Sequence, residues 1–202
     1  MRTPAVRATS AACGHERRAA VVRGRAHGTA GRLRGCLGHP GPLGRPGGHP
    51  RPWPASSAVL AERHPDDEEL QVAGLVHDIG HHLLPGDEAG HGEHAAAAVA
   101  GLLGARVARL VALHIPAKRY LAATDAHLVL SPESARTLGC QGGVMTSEEA
   151  AVFEADPDST AAIALRRADD AGKVVGLRAP GLDCWRPVVE RVAAAAAPGR
   201  AA

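Results

Sequence analysis

The sequence has no cysteine pairs and no long apolar runs. Its four cysteines, Cys13, Cys36, Cys140 and Cys184, lie far apart and form no CxxC motif. This spacing argues against a zinc ribbon or a disulfide framework, and it fits a reducing compartment. No apolar run approaches the roughly 20 residues that a membrane-spanning helix needs. We therefore expect a cytoplasmic protein that has no membrane partner and no secretory signal.

The first quarter of the chain lacks the residues that build a core. Residues 1–56 contain no Ile, Phe or Tyr, whereas Arg, Gly, Pro and Ala are abundant. Ten Arg and a single acidic residue, Glu16, give this segment a charge of +9, while 13 basic and 20 acidic residues give 57–202 a charge of −7. Such a segment buries too little apolar surface to offset its ordering entropy. We interpret 1–56 as a low-complexity segment that is disordered or mistranslated from a shifted reading frame.

The arginines of this segment could attract a nucleic-acid backbone electrostatically. However, the segment has no Lys, its one aromatic residue is Trp53, and it contains no recognisable binding module. Charge without a module is weak support for nucleic-acid binding. We expect no nucleic-acid partner, and the sequence leaves the oligomeric state open.

The rest of the chain, residues 57–197, has helical patterning and no convincing strand. Asp66 or Asp67 can cap a helix that runs to Ile79, and acidic residues in its first turn suit the helix dipole. A second helix is predicted from about His91 to Leu103, through an Ala-rich stretch. The sequence therefore predicts an all-α domain over 57–197.

Further helices complete this domain. In the third, apolar residues and His114 fall at i, i+3, i+4 and i+7, and Pro116 is expected to kink or restart the helix. Four more helices are predicted, after Ser131, after Thr146, after Asp156-Pro157-Asp158, and from Pro187 to Ala197.

The adjacent residues His77 and Asp78 are the first candidate for chemistry. They follow the apolar run Leu70–Val76, which could hold them at the wall of a core. Both side chains can reach one metal ion, and the two carboxylate oxygens of Asp78 could bridge two ions. The alternative is an exposed His-Asp dipeptide on a helix, and the pair alone leaves both interpretations open.

More candidate ligands follow on separate predicted helices. Imidazole and carboxylate ligands without thiolates suit iron, manganese or zinc. A single His on an Ala-rich helix is usually solvated or satisfied in a core. The joint order of a His-Asp pair, later histidines and a late Asp favours a metal site, and its candidate members are His81, His82, His91, His94, His114 and Asp169.

These motifs resemble the HD-domain superfamily. They resemble most closely the HDIG proteins of phosphonate degradation, the mixed-valent di-iron oxygenases of the 2-amino-1-hydroxyethylphosphonate dioxygenase family. The resemblance implies an HD-domain helical bundle. Four blocks carry it in family order, with the Ala-Lys-Arg-Tyr-Leu stretch of the second the most specific: His77–His81, His114–Leu121, Leu130–Gly143, and Leu165–Asp170 with Lys173.

The resemblance implies a role for each matching residue. The iron ligands would be His77, Asp78, His91, His114 and Asp169, with Asp78 bridging two irons and His94 as the alternative to His91. His81 and Lys118 would be catalytic residues beside the substrate. The phosphonate would be held by Lys118 and Arg166, whose charges suit a dianion, with support from Ser134, Thr137 and Gln141.

The activity that the resemblance implies is oxidative. A small 1-hydroxyphosphonate, such as 2-amino-1-hydroxyethylphosphonate or its N-methylated relatives, would be cleaved at its carbon–phosphorus bond. Two irons and dioxygen would be required, and inorganic phosphate would be released.

One feature of that family is missing from the sequence. Its members have an additional His ligand on a helix before the HD block, and no such helix is legible in this chain. The histidines before the block lie in no amphipathic pattern: His15, His27, His39, His49 and His64. Two alternatives therefore stay open, a metal-dependent phosphohydrolase that activates water and a catalytically inactive HD module.

Overall fold

The computed structural model describes residues 53–173 and 179–197. The predicted disorder of 1–56 therefore falls almost entirely outside the described residues. Within them the protein is all-α, as predicted, and contains no strand. The helices are α1 (Trp53–Arg63), α2 (Glu68–Val76), α3 (Gly80–Leu83), α4 (His91–Leu103), α5 (Ala105–Thr124), α6 (Pro132–Cys140), α7 (Ser147–Glu154), α8 (Ser159–Gly172) and α9 (Leu182–Ala196).

Helix α1 occupies the place where the sequence showed no legible helix. It begins at Trp53, before the predicted start of helical structure at about residue 57. Leu60 and Ser57 are fully buried, and the Ser57 hydroxyl donates a hydrogen bond of 2.9 Å to the carbonyl of Gln71 in α2. The sequence does not predict this helix clearly, because the face that packs against the core consists largely of small and polar residues, which give a weak apolar period.

Helix α2 begins as predicted and ends early. The side chain of Asp67 accepts a hydrogen bond from the Leu70 amide and caps the helix. The regular helix stops at Val76 rather than Ile79, and His77 is its C-cap residue. The His-Asp pair therefore lies in a turn, where adjacent side chains can point to a common centre.

Helix α5 runs through Pro116 without a break, so the predicted restart is wrong. Pro116 has no amide hydrogen to donate to the preceding turn. Packing on both sides of the proline compensates, because His114, Ile115, Ala117 and Lys118 are all buried. As a result one rigid helix carries both His114 and Lys118.

The remaining caps follow the sequence closely. The Ser131 hydroxyl accepts from the Ser134 amide at the start of α6, and Thr146 forms a capping box with Glu149 at the start of α7. Helix α9 begins at Leu182, before the predicted Pro187, because buried Trp185 anchors its first turn.

The main core lies between α1, α2, α4, α5, α8 and α9. Its largest fully buried apolar side chains are Leu60, Leu70, Leu103, Leu110 and Leu165. One end of each of α2, α4 and α8 meets the middle of α5 at one side of this core, where they position polar side chains. In the described part of the chain no helix has the length and apolar character to cross a membrane.

Candidate metal centre

Five of the predicted ligands converge from four elements. His77 is the C-cap residue of α2 and Asp78 follows it, His91 is the first residue of α4, His114 is in the middle of α5, and Asp169 is near the end of α8. The three histidines and Asp169 are at most 3% exposed. Polar groups buried to this degree need partners.

Backbone carbonyls fix the orientation of the three imidazoles. Each Nδ1 lies 2.6–2.9 Å from the carbonyl oxygen three residues earlier, at Gly74 for His77, Glu88 for His91 and Val111 for His114. Since a carbonyl oxygen only accepts, each Nδ1 carries the proton and donates it. In this tautomer of the neutral ring each Nε2 carries a lone pair that is directed at the centre of the site. This is the arrangement of a metal-ligating histidine.

Asp78 is the common member of two ligand groups. Its Oδ1 lies 3.5 Å from His91 Nε2, 3.6 Å from His77 Nε2 and 3.9 Å from His114 Nε2. His91 and His114 form one group with Asp78, while His77 and Asp169 form the other. Two metal positions that share one carboxylate fit this geometry.

Several donor atoms have no satisfactory partner without a cation. The Nε2 atoms of His91 and His114 are 3.0 Å apart, so two lone pairs face each other. His77 Nε2 and Asp169 Oδ1 are buried without a hydrogen bond and lie 3.5 Å from each other. Two imidazole nitrogens at right angles around an ion, each about 2.1 Å from it, would be about 3.0 Å apart. These residues therefore fit a metal ion.

The electrostatics of the site also favour a cation. Burial raises the pKa of both Asp78 and Asp169. Four imidazoles, His77 foremost, outweigh it and hold the pKa of Asp78 well below the usual range, and His77 with Lys173 and Arg166 lowers the pKa of Asp169. Burial lowers the pKa of His77, but Asp78 and Asp169 outweigh it and raise that pKa to about 9. Burial, followed by the charge on His77, lowers the pKa of His114 to about 3. Both carboxylates are therefore ionised at neutral pH.

The structure brings His91 to the cluster and leaves His94 outside it. His94 is 42% exposed at its side chain, and its Nε2 pairs with Asp87 Oδ2 at 3.0 Å. His91 is buried at the start of α4, next to His114. The two residues are three apart on one helix, and of the two only His91, the first residue of α4, belongs to the cluster.

The predicted phosphonate residues gather one turn beyond His114. Lys118 is 3% exposed, and its ammonium donates to Thr137 Oγ1 and Gln141 Oε1, each at 2.7 Å. Burial, followed by the charges of Arg166 and Lys173, lowers the pKa of Lys118 to about 8. Ser134 lies on the same face of α6 as Thr137, and both residues are buried.

Arg166 is also buried, and its guanidinium pairs with two carboxylates. Its NH1 donates to Asp169 Oδ2 at 3.0 Å, and its remaining donors pair with the carboxylate of Asp170. Lys173 donates to the same Asp169 oxygen at 2.6 Å. Arg166 and Lys173 thus both donate to Asp169 Oδ2 and leave Oδ1 directed at His77. The sequence did not predict this supporting role of Lys173, or that of Asp170, which pairs with Arg166.

His81 lies at the edge of the cluster. Its ring stacks on that of His91, with centroids 3.9 Å apart. Its Nε2 lies 3.9 Å from Asp78 Oδ1, and its Nδ1 lies 3.8 Å from Glu88 Oε2. Glu88 was not predicted as a site residue, although its carbonyl and its carboxylate both face the site.

Gly80 allows the motif turn to approach α4. A Cβ on Gly80 would lie 1.9 Å from the carbonyl oxygen of His91. We expect Gly80→Ala to lower the free energy of unfolding by about 1–3 kcal/mol or more, because backbone rather than a flexible side chain blocks the methyl group. Urea denaturation measures this change.

Gly101→Ala is the matched control. Gly101 is an exposed residue of α4, and a Cβ added there would meet no neighbouring atom within 4 Å. The same Gly-to-Ala exchange should stabilise the protein there by up to about 1 kcal/mol, through helix propensity alone. Equal effects at both positions would contradict the steric account of Gly80.

Sequence comparison identifies the family of the chain. The pattern of the HD domain matches residues 55–170, more than half of the chain. The chain belongs to the HD-domain family. The match starts within α1 and ends one residue after Asp169, so the family pattern includes every element that contributes to the cluster.

Named relatives of this HD-domain protein include phosphonate dioxygenases. Hydroxymethylphosphonate dioxygenase from Gimesia maris is 39% identical over 145 residues, which cover 66% of this chain and 72% of the relative. The glycine-betaine-forming 1-hydroxy-2-(trimethylamino)ethylphosphonate dioxygenase from Leisingera caerulea is 34% identical over 145 residues, or 67% and 74% of the two chains. The predicted relationship to phosphonate dioxygenases is thereby confirmed.

Proposed function

We propose that this protein is a non-haem di-iron oxygenase that cleaves the carbon–phosphorus bond of a small 1-hydroxyphosphonate. The observation that carries the proposal is the convergence of three imidazoles and the Asp169 carboxylate around Asp78. An all-nitrogen and oxygen donor set of this kind suits iron. The names of two relatives supply the substrate class.

We assign the ligands to two positions. His91 and His114 would hold one iron and His77 and Asp169 the other, with Asp78 bridging them. Mixed-valent iron, when bound, supplies the site at which dioxygen is activated. Arg166 and Lys173 keep Asp169 in place from behind, and the three backbone carbonyls keep the imidazoles in the ligating tautomer.

We assign phosphonate binding to Lys118, with Ser134, Thr137 and Gln141 in support and Arg166 as a further cation. The buried Lys118 ammonium is the strongest candidate because its present partners, Thr137 and Gln141, are both neutral. An anion in this place would gain a charge-assisted hydrogen bond. His81 would lie beside the reacting carbon, where its imidazole can hold or release a proton.

The proposed reaction balances with one molecule of dioxygen. The carbon that bears the hydroxyl loses its bond to phosphorus and one hydrogen, which leaves as a proton, and it gains one oxygen atom to become a carboxylate. The second oxygen atom of dioxygen goes to phosphorus. Phosphorus leaves as inorganic phosphate. The residues of this chain bind the headgroup, orient the hydroxyl-bearing carbon towards the centre and exclude bulk water through the buried wall of α5 and α8.

Among the residues that the structure describes, the ligand set is one histidine short of the pattern that the sequence resemblance implies. Helix α1 precedes α2 and the His77–His81 block, yet it contains no histidine. His64 follows the helix and is exposed. We propose that one iron is bound more weakly as a result, and that this impairs the activity.

The oxygen requirement tests the proposal. The protein is loaded with iron(II) without oxygen and then given hydroxymethylphosphonate or 1-hydroxy-2-(trimethylamino)ethylphosphonate, with and without oxygen. We expect phosphate release only with oxygen, in equal amounts to the oxygen consumed. Oxygen-independent hydrolysis of a phosphate ester would instead support a phosphohydrolase, and bound iron without either reaction would support an inactive HD module.

A further inference from the structure

Gln141 uses both ends of its side-chain amide inside the protein. Its Oε1 accepts a hydrogen bond of 2.7 Å from the Lys118 ammonium. Its Nε2 donates a hydrogen bond of 3.1 Å to the carbonyl oxygen of Glu88. The two contacts fix the orientation of the amide, because an ammonium only donates and a carbonyl only accepts.

The Glu88 carbonyl has a second donor. His91 Nδ1 lies 2.9 Å from the same oxygen, and the other ring nitrogen of His91 faces His114 Nε2 at 3.0 Å. A continuous series of three hydrogen bonds therefore joins the Lys118 ammonium to a metal-facing imidazole. It runs from Lys118 through Gln141 and the Glu88 carbonyl to His91.

We infer that Gln141 is a positioning residue for the metal ligand His91. This inference rests on the proposed metal site. Glu88 lies in the irregular segment between α3 and α4, where no helix ladder holds its carbonyl. The Gln141 amide, projecting from the end of α6, holds that carbonyl in the place where it accepts the hydrogen bond from His91 Nδ1. Without the amide, the carbonyl can turn towards water, and the imidazole loses its fixed tautomer and angle.

Gln141 and its neighbour Thr137 both contact Lys118, but their side chains have different second partners. Thr137 also accepts a hydrogen bond from Lys118 at 2.7 Å, and its hydroxyl donates to the Glu133 carbonyl within α6. The Thr137 side chain therefore contacts Lys118 and its own helix α6, and these hydrogen bonds do not connect it to the Glu88 carbonyl or to His91. A substrate-binding role alone would make the two residues equivalent towards the metal.

Metal binding in the absence of any phosphonate or phosphate tests the inference. Mn²⁺ is titrated calorimetrically into the metal-free full-length protein and into three variants: Gln141→Met, Gln141→Glu and Thr137→Val. Gln141→Glu keeps an oxygen for Lys118 and removes the donor to Glu88, while Gln141→Met removes both contacts without adding charge. Thermal unfolding of each metal-free variant checks that it is folded.

We expect both Gln141 variants to weaken Mn²⁺ binding by about 10–100-fold, the usual loss when a ligand loses its supporting partner. Thr137→Val should bind Mn²⁺ as the wild type does. Co²⁺ in place of Mn²⁺ should show a changed absorption spectrum in the Gln141 variants alone, since the field around the ion depends on the angle of His91.

Each contrary outcome has a distinct meaning. Wild-type affinity in folded Gln141 variants would overturn the inference and leave the proposed metal site standing. Equal weakening by Thr137→Val would show a general disturbance of α6 and would also overturn it. If the wild-type protein binds no Mn²⁺, the proposed site and the inference fall together.

Discussion

Replacing His91 by alanine is expected to remove one metal ion and all phosphate release, whereas replacing His94 leaves both intact. His91 Nε2 lies 3.0 Å from His114 Nε2 and 3.5 Å from Asp78 Oδ1. Its loss deletes an imidazole donor, so metal affinity should fall by more than the roughly 100-fold that losing a supporting partner can cost. Iron content after gel filtration and phosphate release in air measure the two effects.

His94→Ala is a close control because the residue lies three positions away on the same helix. It is half exposed and pairs with Asp87 rather than with the cluster. Both variants truncate the same side-chain type and retain good helix propensity. If His94→Ala lost iron and His91→Ala kept it, our ligand assignment would be wrong.

Replacing Lys118 by methionine is expected to raise the KM for a 1-hydroxyphosphonate by about 10–100-fold with a smaller change in kcat. A hydrogen bond to a charged group contributes about 1.5–3 kcal/mol, and each 1.4 kcal/mol is about tenfold in affinity. Methionine keeps most of the buried volume beside α6. Steady-state phosphate release at several substrate concentrations gives both constants, and an unchanged KM would contradict the phosphonate role.

The same lysine predicts a pH dependence. Burial and the charges of Arg166 and Lys173 lower its pKa to about 8, so the free protein loses the binding charge as the pH rises through about 8. The KM should therefore increase between pH 7 and 9, well below the pH at which an ordinary lysine titrates. Lys118→Arg keeps its charge over this range, and its KM should change far less with pH.

Local sequence was sufficient for several helix starts and for the proximity of some candidate site residues. Asp67, Ser131 and Thr146 mark helix starts because capping depends on a side chain and an amide a few residues away. His77 and Asp78 are adjacent in sequence, and His114 and Lys118 are one helical turn apart, so their proximity is fixed locally. The predicted restart at Pro116 was wrong because the effect of the proline depends on packing around α5 rather than on the residue alone.

Helix α1 shows the limit of apolar periodicity. Its buried residues include Ser56 and Ser57, and their hydroxyls give no apolar signal in the sequence. The backbone of Ser56 also packs against Gly172 of α8, where a Cβ would lie 3.0 Å from the Ser56 amide nitrogen. Such a contact joins residues more than 100 positions apart, so the sequence order does not reveal it.

The sequence by itself determined that this chain is a helical HD-domain protein with a His-Asp motif and a set of nitrogen and oxygen ligands. The tertiary structure decided that His91 rather than His94 faces the centre, that Arg166 and Lys173 clamp Asp169, and that Gln141 touches both Lys118 and the Glu88 carbonyl. The physical reason is the distance along the chain over which each kind of interaction acts. Caps and helix faces depend on residues within a turn or two, whereas the direction of a buried polar side chain depends on partners that only the packing of distant helices brings within hydrogen-bonding distance.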